Sequence, residues 1–493
     1  MIDLARRVQK LTGILDVAKA LTAERDLDRL LPLIVEEAKK VVDADRCSLF
    51  VLDREKGELW SKVAQGLGTT VLRFPVGRGI AGAVAETGLA INIPDAYADA
   101  RFNASFDKST GYRTRSILAI PMRDNEGLVV GVVQALNKAT GEPFDNEDEE
   151  LLGAMGGQAA AAIQNALLHE EIQQLFEGFV RASVVAVEAR DPATAGHSER
   201  VATLTVGIAD ALPRAGATAG KWKGVELTYD ERIELRYAAL LHDFGKVGVR
   251  EHILVKANKL FPGDLEALRA RFDSIGRTME ADILREKIEV MQREGLSSPR
   301  IKEIDLRLAQ TRAEIGELWE FITACNRPTV LAEGSFERLG DIAARTYEDL
   351  FGNKKHLLTP TEVEVLSIRR GSLSAAEREE IESHVTHTYR FLSQIPWTRT
   401  LKRVPDIAYG HHEKLDGRGY PRKLPAESIP VQTRMMTISD IYDALTAGDR
   451  PYKKAMPRQK ALDILADEAK QGYLDNDLLA VFIEADIPGA RPK

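Results

Sequence analysis

Two neighbouring histidines open the stretch His411–Pro421, HHEKLDGRGYP, and comparable groups recur far from it in the chain. His242 stands beside Asp243 in AALLHDFGKVG, with Lys246 one turn on. His384 lies in EREEIESHVTH, and His197 lies in EARDPATAGHSERV, which also holds Glu188 and Asp191. Asp440 and Asp443 share a helix face in TISDIYDALTAGDRPYKK. Any fold of this chain has to account for that set, because isolated histidines rarely come with so many carboxylates in helical context. Neutral imidazole combined with carboxylate suits Fe, Mn, Zn or Ni, whereas an all-oxygen set would suit Mg or Ca. A single zinc needs three or four ligands, and the candidates here are more numerous than that. A carboxylate such as Asp243 can also bridge two ions, which an imidazole does not normally do. Two or three divalent ions a few Å apart can activate a water and clamp both oxygens of an in-line phosphoryl displacement. His197 is either a ligand, a group behind a ligand or a substrate contact, and Asp191 and Asp443 are either groups behind ligands or helix caps. His387, His252, His169 and His356 lack acidic company in a motif and read as structural.

The 493 residues call for two or three domains, and 44% hydrophobic residues suffice for sizeable cores. A formal net charge of −8 argues against a binder of nucleic-acid polymers, though not against a small anionic ligand. Cys47 and Cys325 are far apart, so a disulfide framework is not expected and a reducing compartment is. No signal-peptide core and no uncharged run long enough to span a bilayer are present, so a cytoplasmic location and no membrane span are expected.

Along the chain, Leu4, Val8, Leu11, Leu15 and Ala18 form a heptad-like stripe, so residues 1–25 are expected to be a helix. A helix around Leu27–Val42 leads to a hairpin, CSLFVLD and ELWSKVA about the turn REKG. GIAGAVAETG reads as a small-residue helix closed by Gly88, and SILAIPM with LVVGVVQAL reads as a second hairpin about DNEG. These make an α+β sensor domain over 26–150. From Asp145 the pattern is helical for some forty residues, with a stripe from Leu152 to Ala166 continued by Leu168, Ile172, Leu175 and Phe179. That connecting helix, 151–187, is expected to pair with a copy of itself in a homodimer. The remainder, 188–493, reads as helical. Within it the charged segment 262–370 repeats Leu265, Leu268, Phe272, Ile275, Met279 and then Ile301, Ile304, Leu308, Ile315, Leu318, Ile322. An antiparallel helical hairpin turning near Gly295 is expected, with Ser298 as cap and Pro299 at the first helical position.

The set Glu188, His242-Asp243, Lys246, His384, His411-His412, Gly419-Tyr420-Pro421 and Asp440 resembles the HD-GYP subfamily of HD-superfamily phosphohydrolases over roughly 180–261 and 371–470. HHExxDGxGYP is the specific part of that likeness. The resemblance implies an all-α domain, interrupted here by the 262–370 insertion, with a bi- or trinuclear centre of Fe or Mn that hydrolyses cyclic-di-GMP to pGpG or on to GMP. By position it implies Glu188, His242, Asp243, His384, His411, His412 and Asp440 as metal ligands. Lys246 would sit by the scissile phosphate, and Tyr420, Arg450 and Lys453 would contact the nucleotide. An arginine fork also suits a phosphate oxygen pair on chemical grounds. GSLSAAEREEIESH and KANKL resemble the two sides of one family junction, so the insertion is expected to split a loop. The alternatives are a cyclic-di-GMP receptor with little turnover and a hydrolase of another cyclic dinucleotide.

Over about residues 10–165 the chain resembles a GAF domain. The residues that carry this are Asn137, Lys138, Phe144, Asp148 and Glu149, the Asn-Lys…Phe-x-x-x-Asp-Glu signature of GAF domains in cyclic-nucleotide phosphodiesterases. There a Lys–Asp pair supports the pocket, and IPDAYADARFNASFDKSTGYRTRSIL resembles the segment that lines it. The resemblance implies cAMP or cGMP as ligand; the other reading is a dimerisation module whose pocket is empty or unrelated.

Overall fold

The computed structural model describes residues 21, 24–61, 71–191, 195–349, 351–448 and 455–487. The stripe from Leu4 to Ala18 lies outside the described residues, as do Arg450 and Lys453. The chain folds as two compact units, Met1–Gly178 and Phe179–Lys493.

The first unit begins with α1 (Leu27–Val41), where Asp26 accepts the N–H of Asp28 at the helix start. Its sheet comprises β1 (Ala44–Asp53), β2 (Glu58–Ser61), β3 (Leu72–Pro75), β4 (Ile91–Ile93), β5 (Ile117–Arg123) and β6 (Val129–Lys138), in the order β3-β2-β1-β6-β5-β4. Every neighbouring pair is antiparallel, and β1 runs along β6 from Ala44 opposite Lys138 to Val51 opposite Gly131. Strand alternation then sorts the side chains onto two faces. Cys47, Leu49 and Val51 meet Leu30, Ile34 and Ala38 of α1, whereas Phe50 packs with Ile80 and Val84 of α2 (Gly79–Thr87). Gly88 takes a left-handed conformation, φ 69°, and closes α2 as its position after the small-residue run suggests. The 45-residue helix α3 (Asn146–Arg190) buries Leu152, Met155, Ala159 and Ala162, then exposes Leu168, Ile172, Leu175 and Phe179.

The second unit is built on α4 (His197–Ala211) and α5 (Tyr229–Leu241), whose start is a reciprocal capping box between Thr228 and Glu231. The insertion follows as α6 (Pro262–Glu294) and α7 (Arg300–Asn326), turning at Gly295 with φ 82°. Ser298 Oγ accepts the N–H of Arg300, and Pro299 is the cap residue, one position earlier in the helix frame than expected. The hairpin does not stand alone. Helices Ser335–Ala344 and Pro360–Leu366 close over it, and Leu268, Phe272, Ile275, Leu318, Ile322, Leu339 and Leu366 form a separate apolar core. A two-stranded ribbon, Thr346–Glu348 with Lys354–His356, adds a β element to a region read as helical. Its tip forms because Asp349 Oδ1 accepts the N–H groups of Phe351 and Asn353 while Gly352 takes φ 79°.

The two ends of the insertion lie side by side. Lys256 Nζ reaches the Glu377 carboxylate at 2.7 Å, Ser372 Oγ donates to Lys256 O, and the buried Lys259 donates to Leu366 O at 2.9 Å. An insertion closed at its base can be long at little cost to the domain that carries it. The chain resumes with α8 (Ala375–Leu392), α9 (Val404–Tyr409) and α10 (Val431–Thr446); α4 packs on α5 and α10, and α9 on α5 and α8. No described helix is long and apolar enough to cross a membrane.

Phe272→Ala should destabilise the insertion by about 3–5 kcal/mol. Hydrogen exchange should rise across α6 and α7 while α5, α8 and α10 keep their protection; a uniform rise would mean that the insertion shares its core with the rest of the unit.

Candidate metal centre

His242 ends α5 and Asp243 begins the tight turn Phe244–Gly248. That turn is pressed onto α8 because residue 245 has no side chain. A Cβ on Gly245 would lie 1.9 Å from His384 O and 2.4 Å from the Thr388 nitrogen. Thr388 Oγ1 completes the joint, accepting from the Gly245 N–H at 2.8 Å and donating to His242 O at 3.0 Å. His384, in the middle of α8, is thereby set against Asp243. His411 and His412 follow α9, and Thr437 Oγ1 of α10 donates to His411 O at 2.9 Å, on the helix that carries Asp440.

The histidine rings are oriented by their own helices. With the ring proton on Nδ1, His242, His384 and His411 donate to the carbonyls of Ala239, Ile381 and Ala408 at 2.7, 2.6 and 2.7 Å. Each Nε2 is then left as a bare acceptor turned into the interior. His384 Nε2 and His411 Nε2 are 3.4 Å apart, and the buried His242 Nε2 has no hydrogen-bond partner among the described residues. Converging lone pairs with no proton between them, faced by carboxylates, are the donor set that a cation satisfies. Burial and the neighbouring imidazoles of His412 and His242 hold His411 neutral, and burial lowers His412 to about 4. Burial opposes ionisation of Asp243 and Asp440, yet Lys246 and the imidazoles keep Asp243 well below the usual carboxylate range, and His197 and His242 do the same for Asp440. The residues present fit a divalent metal centre.

The donors fall into two separate groups, and a third group, His242, Asp243 and His411, takes one imidazole from each. Asp243 Oδ1 lies 3.3 Å from His384 Nε2 and 4.0 Å from His411 Nε2. Its other oxygen lies 3.5 Å from His242 Nε2, 3.7 Å from His197 Nε2 and 2.8 Å from Lys246 Nζ. His197, His242 and Asp440 form one compact group of donors, and His384, His411 and His412 form another. Asp243 thus turns one carboxylate oxygen towards each group.

His197, left between three roles by the sequence, joins the cluster. Its Nε2 is 3.2 Å from Asp440 Oδ1, and its Nδ1 is 2.7 Å from Asp443, which Arg200 grips with two nitrogens. Burial opposes its protonation, but Asp440 and Asp443 outweigh burial and raise it to about 9. Glu188 belongs to none of the donor groups. It sits in the last turn of α3 with Oε1 buried and, among the described residues, no hydrogen-bond partner. Asp191 pairs instead with Lys246 Nζ at 3.3 Å, and despite burial Asp243 and Asp191 hold that lysine charged. Tyr420 lays its ring against His412, with centroids 4.7 Å apart. Burial raises its hydroxyl, with Glu382, Asp243 and Asp440 adding to the rise and Arg378 opposing it.

The first unit contains a cavity of about 720 Å³ whose wall includes Arg46, Arg73, Arg78 and Arg101 together with Phe50, Phe74 and Phe102. Asn137, at φ 52°, accepts the N–H groups of Arg115 and Ser116 and donates to Tyr112 Oη and Arg113 O. It thereby holds in place the segment from which Tyr112 and Thr114 line the cavity. Lys138 Nζ pairs with Asp145 at 3.0 Å and with Asp148, Phe144 is buried, and Glu149 is half-buried outside the cavity wall.

Family profiles match in three places: a GAF domain over residues 26–163, and HD domains over 194–294 and 352–478. The fold is a GAF-type domain followed by a helical HD region. The chain is 42% identical over 166 residues to a dual 3′,5′-cyclic-AMP and -GMP phosphodiesterase 11A of Takifugu rubripes, covering 31% of this chain and 18% of that protein. It is 33% identical over 185 residues to a probable 3′,5′-cyclic phosphodiesterase pde-5 of Caenorhabditis elegans, covering 35% and 25%. The matched length is thus a quarter or less of these relatives. A solved GAF domain from a phosphoenolpyruvate-protein phosphotransferase of Coxiella burnetii aligns over 34% of this chain and 98% of its own, at 25% identity and a TM-score of 0.31.

Gly245→Ala should push the Asp243 turn off α8 and separate Asp243 from His384. Metal analysis of the purified protein should show a loss of bound ions with the circular dichroism retained; full metal content would contradict the packing.

Proposed function

We propose that this chain is a metal-dependent phosphodiesterase that opens cyclic-di-GMP to pGpG, or on to GMP, under control of a small ligand in the GAF domain. The observation that carries the reading is Asp243, set between two groups of imidazoles with Lys246 at its side. His242 and Asp440 would hold one ion, His384, His411 and His412 a second, and Asp243 would serve both; Glu188 is assigned as a further ligand, and His197 as either a ligand or a group behind one. Fe or Mn suits this mixed donor set. Such a pair supplies Lewis acidity and an activated water for in-line displacement at phosphorus. Lys246 offers a fixed positive charge to a non-bridging phosphate oxygen, worth most where it costs no reorganisation. Asp191 keeps the ammonium aimed and Asp443 keeps His197 in place. Tyr420 presents an aromatic wall to a base, Arg450 is assigned to a phosphate, and Lys453 is assigned to the nucleotide.

Both named relatives are phosphodiesterases of cyclic nucleotides. Each alignment covers about a third of this chain, too little to include the GAF and HD matches together. They support the handling of a cyclic nucleotide, while the choice of a dinucleotide rests on HHEKLDGRGYP. The arginine-lined cavity of the GAF domain suits a cyclic mononucleotide phosphate, so cAMP or cGMP is assigned there. The exposed stripe of Leu168, Ile172 and Leu175 supports a homodimer along α3.

Protein purified without oxygen and loaded with Mn(II) or Fe(II) should convert cyclic-di-GMP to pGpG or GMP, and the His242→Ala/Asp243→Ala variant or a chelator should abolish this. Metal-replete protein that binds the dinucleotide without cutting it would identify a receptor instead. Conversion of cAMP or cGMP in its place would move the substrate to mononucleotides. Leu175→Glu should shift the sedimentation coefficient from dimer to monomer; an unchanged value would remove α3 from the interface.

A further inference from the structure

The acid that follows the paired histidines, Glu413, takes no part in the donor groups. It is nonetheless only 2% exposed, and both of its oxygens are used by the loop that contains it. One carboxylate oxygen accepts the N–H of Arg422 at 2.7 Å and the other accepts the N–H of Leu424 at 3.0 Å. Between those points the chain must reverse direction. Gly417 N–H donates to Lys414 O, Asp416 pairs with Pro425, and Gly419 lies so close to the Glu413–Lys414 backbone that a Cβ there would come within 2.3 Å of the Lys414 nitrogen. Tyr420 emerges from this knot with its N–H on His412 O at 3.2 Å and its ring against the His412 imidazole.

We propose that Glu413 is a positioning residue for substrate selection: its carboxylate clamps the loop 411–425 so that Tyr420 stands fixed over His412 and can wall a nucleobase. A buried carboxylate that accepts two backbone N–H groups has no oxygen turned towards the ions, so Glu413 acts through Tyr420 and not on phosphorus. Glutamine would keep the shape but turn an NH2 group towards one of the two donors, leaving a buried N–H without an acceptor. A wall that is correctly placed only part of the time weakens substrate binding more than turnover. The kinetic part of this inference rests on the dinucleotide reading above; the structural part does not.

Two measurements on the full chain separate them. Hydrogen exchange on metal-loaded Glu413→Gln, without substrate, should accelerate about tenfold in the peptide carrying Arg422 and Leu424, with peptides of α8 and α10 as in wild type. Kinetics with cyclic-di-GMP should show KM raised about tenfold and kcat lowered less than about threefold. Tyr420→Ala should do the same, and the double variant should be no worse than Tyr420→Ala alone. Unchanged exchange in the loop, a global rise in exchange, additive effects in the double variant, or equal loss of kcat and bound metal would each overturn the clamp. Wild-type protein that leaves cyclic-di-GMP intact would sink the substrate reading alone, and the exchange experiment would still decide on Glu413.

Discussion

The second unit is organised around one carboxylate, Asp243, that faces the Nε2 atoms of several imidazoles. Asp243 can occupy that position only because Gly245 lets its turn lie flat on α8, and because Thr388 ties the turn to the same helix. Each ring that meets it is held from behind by a carbonyl one helical turn earlier, which settles the tautomer and aims the lone pair inward. Helices α4, α5, α8 and α10 and the loop after α9 each contribute a side chain, so the centre and the packing of the bundle are the same feature. The buried charges would be unfavourable without a counter-ion. Their concentration in one place is what turns a helical domain into a candidate catalyst.

Around that point the neighbours divide the work. Lys246 balances Asp243 and is itself kept in place by Asp191. Asp443 and Arg200 hold His197 from the far side. Glu413 holds no metal donor and organises the rim instead. Four carboxylates of similar chemistry thus differ in role because their partners differ: imidazoles for Asp243, an ammonium for Asp191, a guanidinium with an imidazole for Asp443, and backbone amides for Glu413. The insertion stays outside this arrangement, closed at its base by Lys256 and Glu377 and supported by its own core.

Much of this was legible in the sequence where the signal is local. Alternating strands about REKG and DNEG, the closing Gly88 and the heptads of the insertion all appear where periodicity and turn residues put them. His242, Asp243, His384, His411, His412 and Asp440 fall within the donor groups of the second unit. The weak points were long-range. His197 and Asp443 are 246 positions apart, and no local pattern shows that their side chains meet. Glu188 ends its helix with Oε1 buried, and residue type alone does not separate its role from that of His197. The ribbon Thr346–Glu348 with Lys354–His356 is too short to show a period of two.

The most direct test of the shared carboxylate is electron paramagnetic resonance of the manganese-loaded protein, combined with a count of ions per chain. An Asp243-bridged pair predicts two ions and the multiline signal of exchange-coupled Mn(II), replaced by an uncoupled signal in Asp243→Asn. A single ion per chain, or two ions without magnetic coupling in the wild type, would contradict a centre built on Asp243.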